Sequence, residues 1–119
     1  MVPAREFLRS CPDGVRADIY ATLTAVAEAP PPRFSGGGRW QAMHGDMKGF
    51  FEVRVMGPGR QLFRLFCLLD RDQPGLAGPS IILITGMSKA HGTGFSKREY
   101  ARVRDLGDEY RSGSPRSVT

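Results

Sequence analysis

Cysteine and histidine are scarce in this chain. Cys11 and Cys67 lie far apart in unlike contexts, and the only histidines are His44 and His91. A disulfide framework or a zinc site needs more ligands at tighter spacing, so neither organises this protein, and a reducing compartment is expected. Long apolar runs are also missing: nothing approaches 18 uninterrupted residues, which excludes a spanning helix and a membrane partner. The opening MVPAREFLRS carries charges where a signal peptide has its apolar run, so a cytoplasmic location is expected. Nor is there an acidic surplus. Lys and Arg number 17 against 12 Asp and Glu, a net +5, and 40 % apolar residues exclude wholesale disorder. At 119 residues one domain with one modest core is expected.

The charge is unevenly spread. Residues 1–35 hold four basic and four acidic side chains, so the whole surplus falls in 36–119. A polyanionic partner accounts for this, because phosphate contacts add and released counterions drive binding. A basic solvated surface accounts for it equally well.

Pro3 to Ser10 reads as a short helix, with Phe7 and Leu8 facing inward. Ser10-Cys11-Pro12-Asp13 breaks it and opens a second helix, with Ser10 or Cys11 near the cap. Val15, Ile19, Leu23 and Val26 form that helix's apolar stripe, and Pro30-Pro31-Pro32 ends it. Ser35-Gly36-Gly37-Gly38 is a flexible connection. From Arg39 the period changes to two. Residues 49–56 predict a strand with Phe51, Val53 and Val55 on one face and Phe50, Glu52 and Arg54 on the other. Gly57-Pro58-Gly59 turns the chain, and 60–70 returns with Phe63, Leu65, Cys67 and Leu69 together, opposite Leu62, Arg64 and Phe66. Gln73 to Pro79 is a loop. Ile81-Ile82-Leu83-Ile84 reads as a central strand, being apolar without alternation. Ser96-x-x-Glu99 is a capping box that starts a last helix near Lys97, running to about Tyr110. The expected fold is α+β in two layers: two N-terminal helices packed on a small antiparallel sheet, with a C-terminal helix. A single domain over 1–111 is expected, with 112–119 as a disordered tail.

Four groups of residues carry chemical potential. Trp40 reads as a sheet anchor before it reads as a base-stacking platform, and His44 reads as a hydrogen-bonded surface residue. Arg54, Arg60 and Arg64 belong to the hairpin. Arg64 stands mid-strand between apolar neighbours, which requires an open face or a paired role. A guanidinium there suits bidentate phosphate binding, and it suits pairing with Glu52 across the hairpin equally. After the apolar strand, Lys89 and His91 sit among small residues in a plausible catalytic loop. Lys97, Arg98, Tyr100, Arg102 and Arg104 give the last helix a basic face. No metal spacing, nucleophile elbow or close carboxylate pair is present, and no cofactor is implied. The remaining set suits phosphodiester cleavage in which RNA's own 2′-hydroxyl attacks, and it suits plain binding.

Taken in order, Trp40, His44-Gly45-Asp46-Met47-Lys48-Gly49, Phe51-Glu52-Val53-Arg54, Phe63-Arg64-Leu65-Phe66, Gly86-Met87-Ser88-Lys89 and Ser96-Lys97-Arg98-Glu99 resemble the RelE/HigB family of toxins. These belong to bacterial type II toxin–antitoxin systems, and the likeness is greatest to the phage-derived, HigB-like branch of the RelE/ParE superfamily. The resemblance spans about Arg5 to Arg111. It implies a microbial-RNase-like fold, cleavage of messenger RNA on the ribosome, and a helix-turn-helix, HigA-like antitoxin as partner. By position it implies that Arg64 contacts the scissile phosphate. Lys89 then corresponds to the basic residue after the family's central strand, and Lys48 and Arg54 to basic positions before the hairpin. Arg60, Lys97 and Arg98 complete the expected RNA-binding set. The family's lysine-rich segment is replaced here by Lys89-Ala90-His91-Gly92, and its catalytic tyrosine has two counterparts, Tyr100 and Tyr110. The proton-transfer group therefore stands open between His91, Lys89 and a tyrosine, with Arg64, Lys89 and His91 as the catalytic candidates. Non-catalytic action, as in the gyrase-blocking ParE-like branch, and an inactive toxin remnant are the alternatives.

Overall fold

Phe7 and Leu8, with Ala4, form the buried side of helix α1 (Pro3–Ser10), whose opening proline sits where a missing N–H does no harm. The computed structural model describes residues 3–28, 39–70, 80–90, 92 and 94–112. Helix α2 (Asp13–Glu28) buries Val15, Ile19, Thr22 and Val26 along the predicted stripe. Neither Ser10 nor Cys11 caps it. Ser10 Oγ and Cys11 Sγ both donate back to the Phe7 carbonyl, at 2.7 and 3.3 Å, and so finish α1. The joint between the helices is held by Arg16, which donates to the carbonyls of Leu8 and Cys11 at 3.2 and 2.8 Å and pairs with Asp13. The predicted proline stop at 30–32, the glycine connection at 35–38 and the loop at 73–79 lie outside the described residues, as does the expected tail at 112–119 apart from Ser112, which instead ends the last helix.

Four strands follow: β1 (Trp40–Ala42), β2 (Phe50–Met56), β3 (Gln61–Asp70) and β4 (Ser80–Ala90). They form one antiparallel sheet in the order β1-β2-β3-β4. Phe50 pairs with Leu68 and Met56 with Leu62, so the hairpin has the side-chain parity that its alternation predicts. Trp40 is the anchor its surroundings suggested: it is buried and stacks on Phe51 with centroids 5.0 Å apart. Helix α3 (Lys97–Ser112) starts at the capping box, with Glu99 N–H donating to Ser96 Oγ at 3.1 Å and Ser96 N–H to Glu99 Oε1 at 2.7 Å.

Two expectations are corrected. The architecture has three layers, because α3 covers the sheet face opposite α1 and α2. Val53, Val55, Phe63, Leu65 and Cys67 pack against the N-terminal helices, while Phe50, Phe66, Leu68 and Ile84 pack against Val103 and Leu106 of α3. The second correction concerns Ile81–Ile84, which lie on the edge strand β4 and not in the centre. Helices on both faces give an edge strand apolar neighbours on its two sides without a second neighbouring strand, so its composition imitates a central one although Ile81, Ile82 and Leu83 stay partly exposed.

Glycine lets both helical layers close. A Cβ on Gly86 would lie 2.2 Å from the Phe7 ring, and one on Gly107 would lie 2.5 Å from the Phe50 ring. Gly107 therefore costs α3 some helix propensity but admits an aromatic ring against its backbone.

Candidate active site

The β1–β2 connection turns through a short 3-10 segment at Gly45–Met47, where the His44 carbonyl accepts the Met47 N–H at 3.2 Å. This leaves His44 exposed, facing the first two turns of α3 across a cleft of about 370 Å³. Met43, His44 and Asp46 line one wall, and Lys97, Tyr100 and Arg104 line the other. These three α3 residues are spaced at i, i+3 and i+7, one helical stripe. Arg104 also reaches Met47, with Nη1 3.7 Å from the sulfur.

Behind Tyr100 lies an aromatic trio. Phe66, Phe95 and Tyr100 meet edge to face, with centroids 5.9 to 6.3 Å apart. The Arg64 guanidinium sits against all three rings, 4.6 Å from Phe95, 5.5 Å from Phe66 and 5.7 Å from Tyr100. Its charge is met by Glu52, whose Oε2 accepts from Nε and Nη2 at 2.9 and 2.5 Å. Glu52 is 6 % exposed and Arg64 13 %, so the pair is nearly dry. Arg54 Nε stands 3.5 Å from the other Glu52 oxygen, which places one carboxylate between two guanidiniums. Arg64 is thus not on an open face. Of its two readings, the cross-hairpin pairing with Glu52 is present, with α3 and Phe95 laid over it.

Lys89 is similarly engaged. Its Nζ donates to Glu99 Oε1 at 2.8 Å and lies 5.3 Å from the Phe95 ring, so the capping box and the end of β4 share one carboxylate. The hydrogen bond from Lys89, then that from the Ser96 backbone, holds the Glu99 carboxyl below the usual range. Burial pushes both cysteine thiols upward, and both remain free.

The remaining candidates disperse. His91 lies outside the described residues. Lys97 lines the His44 cleft, whereas its neighbour Arg98 lines a separate one with Thr85, Met87 and Arg102. Arg60 closes the β2–β3 turn with a left-handed backbone at φ 58°. Lys48 is exposed before β2 and Arg60 follows its far end, so the strand separates them by roughly 20 Å at ~3.3 Å per residue. Among the described residues no His, Cys, Asp and Glu group forms a metal donor set. No helix among them is long and apolar enough to cross a membrane.

No family model, curated protein or solved structure matches the chain. The cleft must be judged on its own chemistry. It gathers an imidazole, a phenol, an ammonium and a guanidinium around a space the size of a nucleotide. The cleft brings together His44, Tyr100 and Arg104, which were not expected together from the sequence. The i, i+3, i+7 spacing of Lys97, Tyr100 and Arg104 was available there, but the approach of His44 to that stripe was not.

Proposed function

We propose that this protein is the toxin of a type II toxin–antitoxin pair and an endoribonuclease that cuts messenger RNA on the ribosome in the cytoplasm. The observation that carries this reading is the shared cleft of His44, Lys97, Tyr100 and Arg104. His44 takes the proton of the ribose 2′-hydroxyl, whose oxygen attacks the adjacent phosphorus. The bond from phosphorus to the 5′ oxygen breaks, and that oxygen takes a proton from Tyr100. The products are a 2′,3′-cyclic phosphate and a 5′-hydroxyl. Lys97 and Arg104 offset charge on the crowded phosphate, the task for which preorganised cations are most effective. Arg64 is a positioning residue here: held by Glu52, it fixes the ring of Tyr100 from behind. The net positive charge favours a polyanionic substrate, and the sequence resemblance to RelE/HigB toxins adds an antitoxin, HigA-like, as partner.

Single-turnover cleavage of ribosome-bound message tests the reading. His44→Ala should slow cleavage by about a hundredfold or more. Tyr100→Phe should slow it too while leaving the aromatic packing intact. Undiminished cleavage by the folded His44→Ala protein would remove the imidazole from the reaction.

One observation favours a second reading, in which the protein acts by binding, as ParE-like toxins act on gyrase. Arg64 and Lys89 each already hold a carboxylate, so neither offers a free charge to phosphate. Gyrase-linked DNA breaks on induction, without new 5′ ends in messages, are the result that reading expects.

A further inference from the structure

The two edges of the sheet differ. β1 is three residues long, whereas β4 runs eleven, from Ser80 to Ala90. A short edge protects itself, and long edges are normally blunted by charge, proline or a covering segment. From Ser80 to Ser88 there is no charged residue and no proline, and Ile81, Ile82 and Leu83 are each partly exposed. Among the described residues, none outside the sheet hydrogen-bonds to the β4 main chain.

Beside this edge lies a groove of about 550 Å³ between α1 and α2. Ala4, Leu8 and Leu83 form its floor, and Arg5, Arg9 and Arg16 its rim. Arg16 is committed to the helix joint. Arg5 and Arg9 stand one turn apart, exposed, and no described carboxylate pairs with either. Tyr20, also at the groove, is 50 % exposed. Leu83 belongs to edge and groove alike.

We propose that the β4 edge and the arginine groove together dock an extended acidic segment of a partner protein. The segment adds as a fifth strand, its main chain pairing with β4 along the side that no described residue occupies. Every second side chain then falls on the α1–α2 face, where an aliphatic one meets Leu8 and Leu83 and carboxylates meet Arg5 and Arg9. Charge selects this occupant over a second copy of the chain. Antiparallel pairing of two β4 strands about an axis normal to the sheet brings two α1 helices together on one face, with like charges of Arg5 and Arg9 opposed. The surface lies across the sheet from the His44 cleft, so the inference does not rest on the RNA reading.

The test is fluorescence anisotropy on the full chain with a short labelled peptide. Alternate residues of the peptide present glutamate, valine and glutamate, and the others are threonine. Replacing its glutamates by glutamine should weaken binding about tenfold, and the double variant Arg5→Glu, Arg9→Glu should do the same. N-methylation at alternate residues should abolish binding in one register and spare it in the other, as main-chain pairing requires. Equal binding of the glutamate and glutamine peptides, or indifference to both N-methylation registers, overturns the proposal. So does concentration-dependent dimerisation in sedimentation that Ile82→Lys abolishes, which would assign the edge to a second copy.

Discussion

Under α1 and α2 the sheet presents Val53, Val55, Phe63, Leu65 and Cys67, all apolar and all buried. Under α3, alternate positions of the same strands present Phe50, Phe66 and Leu68 at one end and Glu52, Arg54 and Arg64 at the other. One face is thus a closed core. The other is half core and half ion network, opening onto the cleft of His44 and Tyr100. Side-chain parity makes this division possible, since a strand supports two independent chemistries one residue out of step. The lesson is that stability and site chemistry are separable here by face, and substitutions can pull them apart.

The largest effect is expected on the closed face. Leu65 is fully buried at its centre, so Leu65→Ala should cost about 2–5 kcal/mol in urea unfolding. Next comes the ion network on the opposite face. Arg64→Ala removes the main partner of a buried carboxylate and should cost about 3 kcal/mol, reduced to the extent that Arg54 takes over. The double variant Arg64→Met, Glu52→Leu should recover much of that loss, because an apolar pair needs no compensating charge. A double variant no more stable than Arg64→Ala would show that the network does more than satisfy its own charges. Between the layers, Gly86→Ala forces a methyl into the Phe7 ring and should cost about 1–3 kcal/mol, relieved in part by Phe7→Leu.

The smallest effect is electrostatic. Glu99 is held below its usual range in the folded chain, so its contribution to stability is present above the unfolded value of about 4.3. That contribution is lost as pH falls through the folded value. The stability difference between wild type and Glu99→Gln should therefore be constant near neutrality and shrink in acid. Lys89→Met should reduce the same pH dependence, since Lys89 is the first cause of the shift. A difference that stays constant into acid would show that the folded chain does not favour the charged carboxylate over the neutral one.

Local pattern carried much of this architecture. The stripe of Val15, Ile19 and Val26, the alternation through 50–56 and 61–70, and the capping box at Ser96 each fix an element through contacts within a few residues. The order of elements and the α+β class follow from them. Layering did not, because periodicity states that a face is buried but not which helix buries it. For that reason Ile81–Ile84 read as a central strand, and Arg64 stood undecided between an open face and pairing with Glu52. The site shows the same limit. Lys97, Tyr100 and Arg104 share a stripe that sequence spacing makes visible. Their meeting with His44, and the aromatic roof over the Arg64–Glu52 pair, arise only when α3 folds back across the sheet. Sequence alone determined which residues face together along each element. Tertiary structure decided which elements face each other, because that choice is made by packing between segments far apart in the chain.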